Sequence, residues 1–546
     1  MGAHAVSQLE FETSPSPKPK PEYSASSPDG FRSTMQWRAL VVHGIMGGRD
    51  AKGSGLVKDG SGTALLGAGA NYFGQLGLSL ANHQKTTATA TKITVNSTEQ
   101  VMEVECGAAF TCVVNDSGVL STWGDGRSGQ LGYGSEQVSG IQPVPKNADS
   151  FGGTRIGHVA CGREHSLAID VNGQLWSWGR NKFGQLGHGD HISSAVPRKL
   201  QPRGVLAYES IAAGDHHSAA VCQKKHMYTW GCGDYGQLGH GAGGAKAPPA
   251  NAGGRRGRSK QGAAMGCKEL RPKRVQGLGE KKCLSIVCGA STSAAVTTRN
   301  EVWIWGSTEC FLRKGTGTQK TMLHFMPQLL EFALKVDGTA PEVVQVASGR
   351  SHIVVLMADG NVWAVGAGNR GQLGHGKRSD LSRPQMVLYG KDIMQVAAGR
   401  YHTCAVTSQG VLYTWGSGEH GQLLHGEAPV QQHLDEEGVS GSYDELVPRA
   451  VTSLLGRAVL RAACGEQHTL VLTTGLLHTH DEESAGTPSG GPDALLSDFE
   501  MWFSVEEEER QMKIAMAKKS TAGLRAQGKL RHPTRAHRSG AHAEHN

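Results

Sequence analysis

Five histidines, His165, His217, His352, His402 and His468, each stand three residues after a glycine. Imidazoles placed so regularly could ligate a metal or move protons. Eleven cysteines would supply softer ligands. Gly-x-Gly-x-x-Gly occurs at Gly124–Gly129, Gly231–Gly236, Gly366–Gly371 and Gly416–Gly421, the form of a dinucleotide-binding loop. The stretch from Gly315 to Thr321 has part of a phosphate-cradling loop but lacks the glycine that must precede Lys320.

Spacing argues against each of these chemistries. The histidines share one slot of a repeat whose next landmark, usually Trp, follows 13 residues later: Phe110 to Trp123, His165 to Trp178, His217 to Trp230, Thr292 to Trp305, His352 to Val365 and His402 to Trp415. In five of these six copies a Gln follows seven residues beyond the Trp slot, at Gln130, Gln185, Gln237, Gln372 and Gln422, within Gly-Gln-Leu. A fixed internal offset of this kind marks a repeat architecture. The histidines are then spread over separate repeats, where they are expected to satisfy local backbone groups at strand ends. The glycine motif leads into Gln-Leu and not into a helix, so it reads as a recurring turn. Cys106, Cys161, Cys288 and Cys464 all precede a glycine, in a slot that holds Ala213, Ser348 and Ala398 elsewhere. That is a small buried position in which a thiol packs as a compact hydrophobe. There is no Cys-x-x-Cys, and a reducing compartment without structural zinc is expected. No catalytic residue, metal site or cofactor is expected, since no nucleophile, base and orienting group fall together.

Each repeat has two halves. One reads apolar-small-small-Gly-x-x-His, as in Val159–His165; the other reads turn, aromatic, x, Trp-Gly, as in Gly173–Gly179. Dipeptides such as Asn172-Gly173 and Asp359-Gly360 between them are hairpin signals. The first half begins at Gly107, Gly162, Gly214, Gly289, Gly349, Gly399 and Gly465; the second has its slot at Ala68, Trp123, Trp178, Trp230, Trp305, Val365 and Trp415. The series are offset, so Ala68-Gly69 lacks a preceding partner and Ala462–Leu472 lacks a following one. A ring in which these two orphans complete one sheet removes the open edge at the seam. The expected fold is all-β, a seven-bladed propeller closed by its N- and C-terminal segments.

These halves resemble the repeats of the regulator of chromosome condensation family, over about Leu65 to Thr474. The likeness is weakest around Trp305, where Cys310-Phe311-Leu312-Arg313 stands in place of the glycine turn, Thr292 replaces the histidine, and in the first full repeat Phe110 does. The resemblance implies a propeller over 65–476 whose partner is a protein, with a small GTPase favoured. In the founding member one face engages the Ran GTPase and promotes nucleotide release. A candidate guanine-nucleotide exchange factor is therefore the leading expectation, without covalent chemistry. The alternative is a non-catalytic scaffold or chromatin-associated adaptor. A light sensor like the plant ultraviolet-B photoreceptor is disfavoured, because eight of ten Trp lie in the Trp slot or two residues before it, positions expected to be core.

Charge is uneven. The chain is +7, yet Gly243–Arg274 and Arg510–Asn546 each carry +8, which leaves the remainder at −9. Residues 243–267, with Arg255, Arg256, Arg258 and Lys260, are expected to form a disordered basic insert, and 520–546 a disordered basic tail. Either could contact nucleic acid or chromatin. Residues 1–60 are expected to be disordered or loosely packed, with Leu40-Val41-Val42 a candidate extra strand, and 494–519 to form a helix. No apolar run reaches the length of a membrane span and the N-terminus lacks a secretory core, so a cytoplasmic or nuclear location is expected.

The candidate site lies in the two variable residues of Gly-x-x-His, whose neighbours are nearly fixed while they change charge from repeat to repeat. Arg163, Glu164, Asp215, His216, Arg350, Arg400, Tyr401 and Glu466 are the expected partner-binding residues. Arg350, Arg400 and Tyr401 are expected to form one patch, with Asp215 and Glu164 on the opposite side of the ring.

Overall fold

The computed structural model describes residues 63–474, apart from 81–84, 96–99, 135–139, 201–206, 242–267, 309–321, 333–341 and 427–442. The expected N-terminal segment, candidate strand at Leu40–Val42, basic insert, degenerate turn at Cys310–Arg313, C-terminal helix and basic tail all lie outside the described residues. Among the described residues no helix is long and apolar enough to cross a membrane.

Among the described residues twenty-eight strands form seven four-stranded antiparallel sheets. Six sheets are consecutive in sequence and are numbered here as blades 1 to 6: 101–147, 156–199, 208–274, 283–329, 343–388 and 393–450. Blade 2 shows the pattern, with Ile156–Cys161 innermost, then His165–Asp170, Leu175–Gly179 and, outermost, Ser194–Lys199. The seventh, closing blade takes its inner strands, Val459–Cys464 and His468–Thr473, from the end of the ring and its outer strands, Ala64–Ala70 and Thr86–Ile93, from the beginning. Ala68 pairs with Thr469 and Gly69 with His468, the same register as Trp178 with Ser166 and Gly179 with His165. The two orphan halves thus complete one another. Val459–Cys464 also packs on Val101–Cys106, so the innermost strands touch all the way round.

The second strand of each blade is wedged between neighbours on both faces. It therefore reads as an unbroken run of small and apolar residues, such as His217–Cys222, buried throughout. Outer strands are mostly half-buried or exposed. Six of them carry a proline at one register, Pro145, Pro197, Pro272, Pro327, Pro384 and Pro448, which blunts a solvent-facing edge. In the closing blade Ala90 holds that position.

The core lies between blades. Trp123, Trp178, Trp230, Trp305 and Trp415 are fully buried, each packed in an interface. Trp176, Trp303 and Trp363, expected in the core, are only half-buried. They sit two residues nearer the far end of the strand, where Trp176 donates to Asp170 and Trp303 to Glu301 at the blade turn.

A repeated polar clasp accompanies the apolar packing. Gln130 turns its side chain back to accept from the Ser128 backbone N–H at 2.9 Å, fixing the glycine turn. Its main-chain carbonyl meanwhile accepts from two donors of the next blade, Trp178 Nε1 at 2.8 Å and Ser166 Oγ at 2.9 Å. Gln185, Gln237 and Gln372 repeat this with Trp230, Trp305 and Trp415. Gln75 does the same for Thr111 and Trp123, a sixth copy that the Ala in its Trp slot conceals in the sequence. The Gly after Trp is equally constrained: Gly179 has φ +99°, and a Cβ there would lie 2.6 Å from the Glu164 carbonyl.

The histidines bond differently from expectation. Their Nε2 atoms reach across to a hydroxyl of the next blade, His165 to Ser218, His217 to Ser293, His352 to Thr403 and His402 to Thr469, at 2.9–3.0 Å. Each hydroxyl already spends its single proton on a Gln carbonyl. It must accept from the imidazole, which places a proton on Nε2. Burial pushes these imidazoles down to a pKa of about 3, or about 4 at His402.

One interface lacks the clasp entirely. Between blades 4 and 5 the hydroxyl slot holds Ile353 and the Trp slot Val365, and both join an apolar cluster with Ala294, Val296 and Ile304. The preceding histidine is Thr292, since an imidazole facing Ile353 would have no oxygen to bond.

Candidate interaction face

The Gly-x-x-His turn joins a blade's first and second strands. The segment after Trp-Gly leaves the third strand at the same end, because neighbouring strands are antiparallel. Both sets of loops therefore lie on one face of the disc, held by the clasp beneath.

The first variable residue of each turn points to the ring axis. Ala108, Arg163, Asp215, Ala290, Arg350, Arg400 and Glu466 line an axial cavity of about 90 Å³ together with the seven preceding glycines. Arg400 Nη1 is 3.0 Å from Glu466, and Arg163 Nη1 is 3.4 Å from Glu466 and 3.3 Å from Asp215. Burial works against the Arg400 charge, but Glu466 and Tyr401 together outweigh it and raise the guanidinium above its ordinary value. Arg350 and Arg400 stand on blades 5 and 6 and Glu164 and Asp215 on blades 2 and 3, and ion pairs join the two groups across the axis. Arg400, Glu466, Arg163 and Asp215 form one continuous chain of ion pairs around the axis, because guanidinium side chains are long enough to span a blade. Arg350 lines the same cavity.

The second variable residues form a wider ring. Glu164 pairs with Arg180 at 2.6 Å and accepts from Ser128 of the neighbouring blade at 3.4 Å. His216 stacks on Phe183 with centroids 4.7 Å apart, and burial lowers its pKa. Tyr401 lies under the Arg400 guanidinium, 5.4 Å away.

Further residues of this face lie five positions after the Trp slot. Phe73 carries Arg127 over its ring at 4.6 Å, Tyr235 is 49% exposed, and His420 meets Tyr72 edge-on. In blade 5 the slot is Arg370, which shares the buried Asp444 carboxylate with Arg378. Their variability, immediately before the recurring Gly-Gln-Leu, was the available signal in the sequence.

His402, Cys404 and Cys464 bring three possible ligand atoms within 4.8 Å, with the two sulfurs 3.3 Å apart. His402 Nε2 is committed to Thr469, and burial holds the Cys464 thiol well above its ordinary value, so neither is poised as a ligand. Phe110, Cys112 and Cys161 occupy the same slots one interface beyond the seam, where no imidazole is present. The trio is a packing unit of the repeat.

Comparison with known proteins agrees with this architecture. A family described as RCC1-like domain matches residues 53–310, and the regulator of chromosome condensation (RCC1) repeat matches 359–406 and 409–472. The chain is 32% identical to the Arabidopsis thaliana ultraviolet-B receptor UVR8, over 55% of this chain and 61% of that one. It is 29% identical to a Bos taurus secretion-regulating guanine nucleotide exchange factor, over 57% and 61%. It therefore spans about three-fifths of the length of each. The crystal structure of Prp20p from Saccharomyces cerevisiae superposes with a TM-score of 0.62 at 19% identity, covering 81% of this chain and 95% of that one, which is a likeness of fold.

Proposed function

Because the chain belongs to the regulator of chromosome condensation repeat family, we propose that its disc is a protein-binding module that regulates a small GTPase, with guanine-nucleotide exchange as its activity. The observation that carries this reading is where the variation sits. Slots that hold the blades together are nearly fixed and buried, while the two slots above them run through Ala, Arg, Asp, Glu, Gln, His, Ser and Tyr on a single face. A rigid scaffold displaying a charged and aromatic surface suits protein recognition. One relative is named as an exchange factor, and the structural study of Prp20p concerns its binding to Gsp1p and histones.

Exchange on such a surface needs no bond making. The disc binds the nucleotide-free GTPase more tightly than the loaded form, and that difference in affinity is what expels the nucleotide. Arg163, Glu164, Asp215, His216, Arg350, Arg400, Tyr401 and Glu466 are the contact residues in this reading. The face slots carry Tyr, Phe and His, and the Trp of the Trp-Gly slots are buried, so they support protein contact better than light absorption at an exposed Trp cluster. The basic segments at 243–274 and 510–546 support a second reading, a chromatin-associated adaptor, and a nuclear or cytoplasmic location suits both.

The test is release of a fluorescent GDP analogue from a panel of purified small GTPases. At least one is expected to release faster with the protein present and to be retained on it only after EDTA removes magnesium and nucleotide. Arg350→Glu is expected to weaken that retention by about tenfold or more, with an unchanged melting curve. A panel that shows no acceleration, or equal retention with and without nucleotide, would leave the adaptor reading in its place.

A further inference from the structure

We infer that the axial face holds a carboxylate-binding notch above Ala290, anchored by Arg350, which takes an acidic side chain of the partner protein. This rests on the reading of the face as a protein-binding surface and names the chemistry it recognises.

The argument follows the seven first-slot residues around the axis in order: Ala108, Arg163, Asp215, Ala290, Arg350, Arg400, Glu466. Two are alanines, and each leaves a gap between charged neighbours. Over Ala108 the gap is closed, because Arg163 reaches across it to Glu466. Over Ala290 it is not. Asp215, on one flank, is engaged by Arg163 on its other side. Arg350, on the other flank, has no ion pair among the described residues, while Arg400 beyond it is held by Glu466.

The ring therefore has three guanidiniums and two carboxylates. The missing anion belongs where Ala290 has no side chain to offer. Arg400 adds a second vacancy, since its buried Nε lacks an acceptor. Ser291 and Ser351, in the second slots of the same two blades, are small and only half-buried beside it. A carboxylate bound bidentately to Arg350 would complete the alternation of charge around the axis. Asp215 on the far flank disfavours a doubly charged phosphate, so a singly charged Asp or Glu side chain is the better match.

The probe is a fluorescein-labelled peptide alternating Asp or Glu with Gly, compared with its Asn/Gln counterpart, measured by fluorescence polarisation against the full chain at constant ionic strength. The basic segments also attract acidic peptide, so the readout is the difference between variants. Arg350→Ala is expected to weaken binding about tenfold. Ala290→Glu, which supplies the missing carboxylate from within, is expected to weaken it equally. Both should melt with the unsubstituted protein. Affinity unchanged by both substitutions would overturn the site. Displacement of the peptide by inorganic phosphate more effectively than by chloride at equal ionic strength would overturn its chemical class.

The two readings fail separately. Peptide binding lost in both variants, with no exchange on any GTPase, removes the exchange activity and keeps the notch. Exchange that survives Ala290→Glu alongside unaffected peptide binding removes the notch and keeps the exchange activity.

Discussion

Deleting Ala462–Leu472 is expected to unfold the entire disc. This stretch contributes most of the two inner strands of the closing blade, and His468–Thr473 pairs with Ala64 through Gly69. Leu470, Val471 and Leu472 are 0–1% exposed and belong to apolar clusters on both sides of the blade. Burying side chains of this size stabilises by about 2 kcal/mol each, and the deletion also uncovers Leu65, Leu66, Trp123 and Leu460 around them. The combined loss matches or exceeds the roughly 5–15 kcal/mol by which a folded domain is stable. The stranded outer pair would be a sheet edge that carries Ala90 in place of the proline found in the other outer strands, and so would be open to aggregation. Excising 243–267, which joins the third and outer strands of blade 3, should change the melting temperature little, because loop length costs only slowly increasing entropy. A soluble 462–472 deletion with the original melting curve would refute closure as the source of stability.

Legibility in the sequence followed from how many atoms depended on each position. The glycines, tryptophans and glutamines of the repeat each satisfy several backbone or steric requirements at once, so few substitutions survive and the spacing shows through. From them the blade number and the seam could be read. Gln75 escaped notice because its Trp slot is Ala68, although its carbonyl performs the same task for Trp123. The role of the histidines was misplaced for a related reason. Their partner is one residue beyond the next blade's equivalent slot, a relation visible only once adjacent blades are known to touch. It explains in retrospect why Thr292 and Ile353, about sixty residues apart, depart from the pattern together. The ion network was not legible at all. It depends on how far Arg163 and Arg400 reach across the axis, which spacing along the chain does not encode.

Mild acid is expected to destabilise the disc steeply, and His468→Phe to relieve part of that sensitivity. His165, His217, His352, His402 and His468 are all fully buried, with pKa values pushed by burial from 6.5 to about 3 or 4. The folded values are depressed, so the neutral rings contribute stability that is complete above pH 6.5. It is lost as pH falls from there toward the folded values, because the unfolded chain takes up protons that the folded one refuses. Between pH 7 and 5.5 the loss is about 1 kcal/mol per histidine, or about 5 kcal/mol together. His188 and His425, more open but also lowered to about 4 by burial, act in the same direction. Denaturant midpoints at the two pH values measure the effect.

His468 differs from its counterparts, because neither of its ring nitrogens has a partner. Thr111, the hydroxyl it would meet, donates to Gln75 without it. Blade 1 shows that the slot accepts a phenyl ring, since Phe110 packs over Gly107 there as His468 does over Gly465. His468→Phe should therefore hold or raise stability at neutral pH, by up to about 1 kcal/mol from removing an unsatisfied buried polar group, and reduce the acid slope by roughly a fifth. His217→Phe should lose about 1 kcal/mol at neutral pH through its broken bond to Ser293, while reducing the slope by the same fraction. If both variants lose stability alike and neither changes the slope, the buried imidazoles are not what makes the ring sensitive to acid.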